Sequence, residues 1–459
     1  MFDLKFKDKI AILVCKFVRA VGKAVGKGSS LPGAVALKFD GDVLKRISLP
    51  KKIIAVTGSN GKTSTVEMIV ASLKANGLTV AYNSEGANQL DGVATFILCN
   101  SNMKGVVDKD VLVVEADEQS ARHIFKYFTP TLYVINNLYR DQLSRNGHPE
   151  RIFGIIKESI ADGVRLVLNA DDPLTASFGF GREGTVYFGV AGNENLSAEC
   201  DSAYDDGAFC PVCNARLEYG YRLYNHIGSY LCKKCGFKRD NVKYEVTDIK
   251  ENEIVLNGNR IGFKLLGLHN VHNMLAAYSV LAELGYATDA TVDALSAHIL
   301  KSGRTVSFKI GENYGTLLVS KHENSIAYDR SIDVVSNYKK PATVVIIVDA
   351  VSRKYFTSDT SWLYDIDFEK LDLPFINNII LAGKYCYDLA ERFSYTSVNK
   401  DILVVSERVD DAMENLKYSD MGRIFILTCF SDKHKALAHC EVLPYDFEIP
   451  ESEAACDED

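Results

Sequence analysis

The stretch VTGSNGKTST sets Gly58, Gly61, Lys62 and Thr63 between an apolar run, KIIAV, and a segment of helical periodicity. Those residue types at that spacing suit a triphosphate. Glycines let backbone N–H groups approach phosphate oxygens, and the following helix N-terminus adds positive partial charge. Lys62 can then reach the terminal phosphates, and the Thr63 hydroxyl can ligate Mg²⁺. Gly58, Asn60, Gly61, Lys62, Thr63 and Ser64 are the candidate nucleotide-binding residues. The pattern GxxGK[ST] is two residues shorter than the general P-loop. A ligand-free glycine-rich turn is the plain alternative, and the placement between strand and helix argues against it.

VVEADEQS ends another apolar run with Glu115, followed by Asp117 and Glu118. A carboxylate at a strand end can hold Mg²⁺ against phosphates, because hard cations take oxygen ligands. Its plain alternative is a solvated acidic loop. Two more apolar runs end in polar clusters: Asn137, Arg140, Asp141 and Gln142 in NNLYRDQLSRNG, and Asn169, Asp171 and Asp172 in LNADDP. Core packing alone would not concentrate polar residues at all these ends.

Cys210, Cys213, Cys232 and Cys235 form two CxxC pairs. Thiolates at this spacing fit tetrahedral Zn²⁺, with bonds of about 2.3 Å. Four protein ligands leave no open position, so the expected role is structural. The other seven cysteines follow no framework spacing, which points to a reducing cytoplasm.

Such residues need a scaffold. KKIIAVTG, LTVAY, DVLVVEAD, TLYVINN and VRLVLNADD read as buried strands separated by helical stretches. That alternation predicts an α/β fold: a mostly parallel sheet, helices on both faces, and functional residues at the C-terminal strand ends. From about Gly192 to Asp240 a Tyr-, Cys- and Gly-rich segment reads as an insertion. YEVTDIKENEIVLNG and NRIGFKLLG predict two antiparallel strands around a turn. A helix over VHNMLAAYSVLAELG follows, and KSGRTVSF reads as a linker. Beyond it, PATVVIIVDA, INNIILAG, DILVVS and GRIFILTCF predict a second, smaller α/β domain, and EIPESEAACDED an acidic tail.

At 459 residues, 47% hydrophobic and 24% charged, the chain is globular and long enough for two or three domains. A net charge of −8 argues against bulk nucleic-acid binding. Near the N-terminus, KIAILVCKFVRAVGKAVGKG has an apolar core of only six residues, Ile10 to Cys15, too short to span a bilayer. Lys9, Lys16, Arg19, Lys23 and Lys27 give a basic helix with an apolar stripe, ending near GKGSSLPG. Such a helix either docks on the protein's own core or touches an anionic membrane surface.

The loop Thr57–Thr63, Glu115, NNLYRDQLSR, LNADDP, GLHNVHNMLAA and SGR, in this order, resemble the Mur ligases. The resemblance implies a central P-loop ATPase domain and a C-terminal Rossmann-like domain. It further implies ATP on the short loop, Mg²⁺ on Thr63 and Glu115, adenine contacts from Asn270 and Asn273, and a phosphate contact from Arg304. Lys62 and Glu115 would serve catalysis by neutralising charge as a carboxylate is activated and an amine displaces phosphate.

Only about fifty residues precede the phosphate-loop strand, too few for the uridine-nucleotide domain of other Mur ligases. GKGSSLPG, NSEGANQLDGVAT, YRDQLSRNG and the four-cysteine insertion resemble the MurT-type subunits of lipid II isoglutaminyl synthases. Gln142 stands where other Mur ligases carry a metal-binding His. This resemblance implies amidation of the α-carboxylate of D-glutamate in the lipid II stem peptide, giving D-isoglutamine. Ammonia would come from a GatD-type glutamine amidotransferase partner, and the chain has no glutaminase nucleophile signature of its own. SDTSWLYDIDFE resembles the family's DVSWIWDVDFE, which implies that Asp359, with Asp365 second, completes the partner's Cys–His site. A plain cap before a buried Trp362 is the alternative. Three segments depart from the family pattern: SKHENS replaces Lys-Asn-Pro, GRTVSF replaces GR-x-E, and VDAVSRKYFT lacks the usual Asn and Gly. They bear on closure and partner contact.

The expected organisation is a helical segment over 1–48, an ATPase domain over 49–301 with a zinc ribbon at about 198–241, a C-terminal α/β domain over 302–447, and an acidic tail over 448–459. A cytoplasmic location, or the inner membrane face where lipid II resides, is expected, without a transmembrane segment or nucleic-acid partner. The rival readings are a folylpolyglutamate synthase-like ligase, which would not carry the cysteine quartet, and a zinc-ribbon nucleic-acid-binding ATPase, whose basic cluster here is confined to Lys233, Lys234, Lys238 and Arg239. A non-catalytic nucleotide-binding scaffold would not need Lys62, Thr63 and Glu115 intact.

Overall fold

The computed structural model describes residues 4–24, 28–84, 86–200, 202, 204–239, 242–250, 253–262, 267–298, 305–351, 358–417 and 421–444. Arg304 with the SGR linker, most of VDAVSRKYFT and the acidic tail fall outside them. The chain divides into two compact units. One comprises Met1–Tyr139, His148–Asp201 and Asp205–Leu300, and the other Arg140–Gly147, Ser202–Tyr204 and Lys301–Asp459.

The first unit opens with helices α1 (Phe6–Ala24) and α2 (Leu31–Phe39). Strands β1 (Lys52–Thr57), β2 (Val80–Tyr82), β3 (Val111–Glu115), β4 (Leu132–Ile135), β5 (Arg165–Asn169) and β6 (Val186–Val190) follow, with α3 (Lys62–Ala75) and α4 (Leu90–Asn100) flanking β2 in the chain. β7 (Glu218–Tyr224) and β8 (Ile227–Leu231) form a separate hairpin. β9 (Val242–Ile249), β10 (Glu253–Leu256) and β11 (Asn259–Gly262) complete a nine-stranded sheet of order β11-β10-β9-β6-β5-β4-β1-β3-β2. The strands from β2 to β9 in that order run parallel, and β10 and β11 are antiparallel additions.

Parallel strands are buried on both faces, so they are apolar throughout instead of alternating. β1 shows why. Ile54 and Val56 face Val66, Ile69 and Leu73 of α3 and Val271 and Leu275 of the helix Leu268–Glu283. Ile53, one residue out of phase, joins Leu112, Val114, α4 and the inner side of α1. Central β1 is thereby locked between β3 and β4, and its C-terminal end delivers the glycine loop.

In the second unit, β12 (Thr305–Ile310), β13 (Asn313–Ser320), β14 (Ala342–Ile347), β15 (Ile376–Ala382), β16 (Leu403–Ser406), β17 (Arg423–Cys429) and β18 (Glu441–Val442) form a seven-stranded sheet of order β16-β15-β14-β17-β13-β12-β18. Two apolar layers cover its faces.

Two local expectations differ from the structure. YEVTDIKENEIVLNG is not one strand but two, β9 and β10, paired as a hairpin; Asn257 (φ 45°) and Gly258 then turn the chain into β11. TVSF of the expected linker belongs to β12, which pairs antiparallel with β13 from Thr305 to Ile310. The helix expected to stop near GKGSSLPG does so, α1 ending at Ala24, and a second helix, α2, follows with Pro32 in its first turn, where the missing N–H costs nothing.

Candidate active site

Gly58 (φ 132°) and Gly61 (φ 81°) hold backbone conformations that residues with a Cβ avoid. Space excludes a side chain as well. A Cβ on Gly61 would lie 1.9 Å from Asn273 Oδ1, and one on Gly58 3.0 Å from the Asn137 carbonyl. Gly61 is the N-cap of α3 and brings no side-chain oxygen to the first-turn N–H groups. The loop is braced by Asn137, whose Oδ1 accepts from Asn60 N at 2.8 Å and whose Nδ2 donates to the Asn60 carbonyl at 3.2 Å. This cradle of glycines at a helix start fits a phosphate chain.

Lys62 is buried, and its ammonium donates to the Gly58 carbonyl and to Glu118 Oε1, the latter at 2.6 Å. A buried ammonium needs such a partner. Thr63 Oγ1 donates to Glu115 Oε2 at 2.9 Å. Neighbouring ligands of an octahedral Mg²⁺ with bonds of ~2.0–2.1 Å stand about 2.9 Å apart, so this pair fits the ion. Two residues without an assigned role in the sequence reading position Glu115. Asn88 Nδ2 donates to its Oε1 at 2.8 Å, and Asn83 grips its backbone N–H and C=O at 2.8 and 2.9 Å. Asn273 Nδ2 donates to Asn270 Oδ1 at 3.3 Å, so the two candidate adenine residues meet on one helix start, with Asn273 against Gly61. Ser64 continues the first turn of α3.

The four cysteines come together. Cys210 and Cys235 sulfurs lie 3.6 Å apart, Cys213 and Cys232 3.5 Å, and all four are within 4.8 Å of one another. Tetrahedral Zn–S bonds of ~2.3 Å require sulfurs about 3.8 Å apart. The two halves repeat one geometry. Asn214 N donates to the Cys210 carbonyl and Gly236 N to that of Cys232, at 2.8 and 2.9 Å, with Asn214 and Gly236 both at positive φ. Backbone N–H groups of Val212 and Cys213 point to the Cys210 sulfur, and those of Cys235 and Lys234 to Cys232. The Cys235 N–H, before all else, draws the Cys232 thiol down to about 7. Paired knuckles with sulfurs so arranged fit zinc.

The hairpin of the insertion is tied to the strand ends that carry the polar clusters. Gly228 N donates to the Asp171 carbonyl and Tyr230 OH to that of Ala170, at 2.8 and 3.0 Å. The Asp171 carboxylate, buried just after β5, accepts from Arg239 Nε at 2.6 Å, Val190 N at 2.7 Å and His272 Nε2 at 2.8 Å. His272 Nδ1 meets Tyr224 OH at 3.2 Å, Tyr224 meets Tyr139 OH at 3.1 Å, and Tyr139 N donates to Ser59 Oγ at 2.9 Å. A polar chain thus runs from Arg239, at the end of the insertion, to the phosphate loop.

The second unit holds Arg140, Asp141, Gln142, Asp359 and Asp365. Arg140 pairs with Asp365 at 3.0 Å, and Asp141 accepts from Lys321 Nζ and Asn324 Nδ2 at 3.0 and 2.8 Å. The Gln142 N–H (φ 50°) donates to the Glu323 carbonyl, so this loop is held by the divergent SKHENS segment. Asp359 is exposed before a short 3₁₀ turn carrying buried Trp362. The backbone N–H of Ser361, at 2.9 Å, and then its hydroxyl hold its carboxyl below the usual range. A group that spacing does not reveal sits at the ends of β13 and β17. The Cys429 sulfur lies 3.1 Å from His322 Nε2 and 3.3 Å from Asp432 Oδ2, and burial, then Asp432, pushes the thiol up to about 12.

The Mur ligase middle-domain family matches residues 56–281, and the MurT ligase C-terminal family residues 322–432. The MurT subunit of lipid II isoglutaminyl synthase (glutamine-hydrolyzing) from Staphylococcus aureus strain N315 is 32% identical over 400 residues, spanning 86% of this chain and 89% of that protein. This chain belongs to the MurT family of Mur ligases. The MurT subunit of Streptococcus pneumoniae R6 is 30% identical over 439 residues, spanning 93% and 96%. Among solved structures, a pseudomurein peptide ligase type C from Methanothermus fervidus has a TM-score of 0.66 at 24% identity, covering 86% of this chain and 79% of that one. MurF from Acinetobacter baumannii has 0.62 at 16%, covering 88% and 79%, and shares the fold. MurT-family membership makes the chain an ATP-dependent ligase of peptidoglycan biosynthesis, and the Mur fold implies ATP and Mg²⁺, which the Lys62–Thr63–Glu115 geometry fits.

Proposed function

We propose that this chain activates the α-carboxylate of D-glutamate in the lipid II stem peptide, and that a GatD-type glutaminase partner supplies the ammonia that converts it to D-isoglutamine. The likeness to MurT subunits along nearly their whole length carries the reading. In the first step a carboxylate oxygen attacks the γ-phosphorus of ATP and ADP leaves. In the second, ammonia attacks the acyl carbon, phosphate leaves, and the amine gives up a proton. Lys62 would exchange Glu118 for phosphate oxygens and spread the charge building on them, while Thr63 and Glu115 would hold Mg²⁺, which supplies Lewis-acid neutralisation. Asn270 and Asn273 would bind adenine, and Arg304 would reach phosphate. The zinc ribbon would be structural.

Asp359 is the better candidate for the partner's Cys–His site. It is exposed, whereas Asp365 is paired with Arg140. The working divisions we adopt are 1–48, 49–301, 302–447 and 448–459, with the protein acting at the cytoplasmic face where its lipid-linked substrate lies.

An oxygen-18 label in the stem-glutamate α-carboxylate tests the activation step. The reading requires one labelled oxygen in the phosphate released by the reconstituted pair with ATP and glutamine. Unlabelled phosphate, or ligase activity on a folate in place of lipid II, would refute it.

A further inference from the structure

α1 carries two apolar faces, and only one of them is used by the fold. Ala11, Ile12 and Cys15 are buried in the core with Val43, Leu44 and Ile97. Asp8, the sole acid on the helix, points the same way and is bonded to Arg46 at 2.7 Å. On the opposite side Phe6 is 80% exposed, Leu13 53%, Phe17 71% and Val21 54%. At 3.6 residues per turn these four, with half-buried Ile10, fall within an arc of roughly 80°. Lys9, Lys16 and Lys23, spaced by sevens, run along one edge of that arc. Lys16 is anchored by donating to the Ser101 carbonyl at 2.6 Å, which fixes the helix's rotation about its axis. Lys5 and Lys9 are exposed at the N-terminal end and Lys23 at the other.

We propose that this outer face of α1 is a membrane-docking surface, lying in the headgroup region of an anionic bilayer with Phe6, Leu13, Phe17 and Val21 turned to the acyl chains. Charge selects the occupant. A lysine edge beside an aromatic and aliphatic stripe matches anionic headgroups over hydrocarbon, on a chain whose net charge of −8 would otherwise be repelled. Area points the same way. Four such side chains offer roughly 400–500 Å², short of the ~800 Å² per partner of a stable protein interface. Among the described residues no helix is long and apolar enough to cross a membrane, so the helix lies on the bilayer and does not span it. The inference stands on α1 alone; a lipid-linked substrate, as proposed above, would give the surface its use.

The test is co-sedimentation of the full chain with vesicles that contain no lipid II, so it is independent of ligase activity. Vesicles of phosphatidylglycerol mixed with phosphatidylcholine should bind the protein, pure phosphatidylcholine should bind it several-fold less, and added salt should narrow the gap. The pair Leu13→Ser, Phe17→Ser should weaken binding at least about tenfold, with melting and ATP binding unchanged because neither side chain is in the core. Lys9→Glu with Lys23→Glu should remove the preference for the anionic vesicles. No binding to either vesicle, or binding indifferent to all four substitutions, would overturn the proposal. So would a dimer in solution that the serine pair dissolves, since the face would then belong to a second copy.

Discussion

Asp171→Asn is the substitution that tests how the insertion supports the nucleotide site. The carboxylate is fully buried and accepts from Arg239, Val190 and His272 at 2.6–2.8 Å. Removing one partner of a buried ion pair costs ~3–5 kcal/mol. Asparagine keeps one acceptor, and Glu245 Oε1 still holds Arg239 at 2.9 Å, so the lower end, about 3 kcal/mol, is expected. That is a large share of the ~5–15 kcal/mol that stabilises a domain. Hydrogen exchange of the β5 and β6 amides, followed by mass spectrometry, reads this locally. Asn273 follows His272 on the same helix turn, so a displacement there worth ~1.4 kcal/mol would raise the KM for ATP about tenfold. Arg239→Gln should produce the same two effects, and the double variant should cost at least ~1 kcal/mol less than the sum of the singles. Additive effects, or a change under ~0.5 kcal/mol with an unaltered KM, would refute the argument that Asp171 couples insertion and site.

Further outcomes follow from the same geometry. Lys62→Ala should lower turnover at least ~10²-fold while a pull-down still recovers the partner; loss of the partner would contradict a local role. Cys213→Ser should release bound zinc, measured by metal analysis, and increase exchange in β7 and β8 before the β1 amides respond. Asp359→Asn should cut glutamine hydrolysis by the complex, up to ~10⁴-fold if it orients the partner's His, without dissociating it; normal hydrolysis removes Asp359 from that site. Cys99 should alkylate with a midpoint near pH 7, rising as the thiolate forms, because hydrogen bonding to Cys15 and then the nearby Arg19 and Lys16 draw its thiol down to about 7. An ordinary midpoint near 9 would contradict that environment.

The elements bearing the phosphate chemistry were legible because their signals are local. An apolar run, a glycine loop and a helical period specify β1, the loop and α3 within about twenty-five residues. The cysteine quartet was legible for the same reason, as its spacing encodes its geometry. Asn83 and Asn88 could not be given a role, since what matters is their reach to Glu115 across the sheet. Nor could Asp171, whose partners Arg239 and His272 come from sixty-eight and a hundred and one residues away. TVSF passed for a linker because a four-residue stretch after Gly and Arg has no clear period until β13 pairs with it. α1 docks on the core through Ala11, Ile12 and Cys15, and its exposed outer face is the one proposed above to meet a membrane.

The most direct measurement uses glutamine labelled with nitrogen-15 in its side-chain amide, supplied with lipid II and ATP to this chain and a GatD-type glutaminase. Nitrogen-15 is expected in the α-carboxamide of stem-peptide D-isoglutamine, with none formed by the Lys62→Ala variant or without ATP. Unmodified lipid II with the complete mixture, or label incorporated equally by Lys62→Ala, would contradict it.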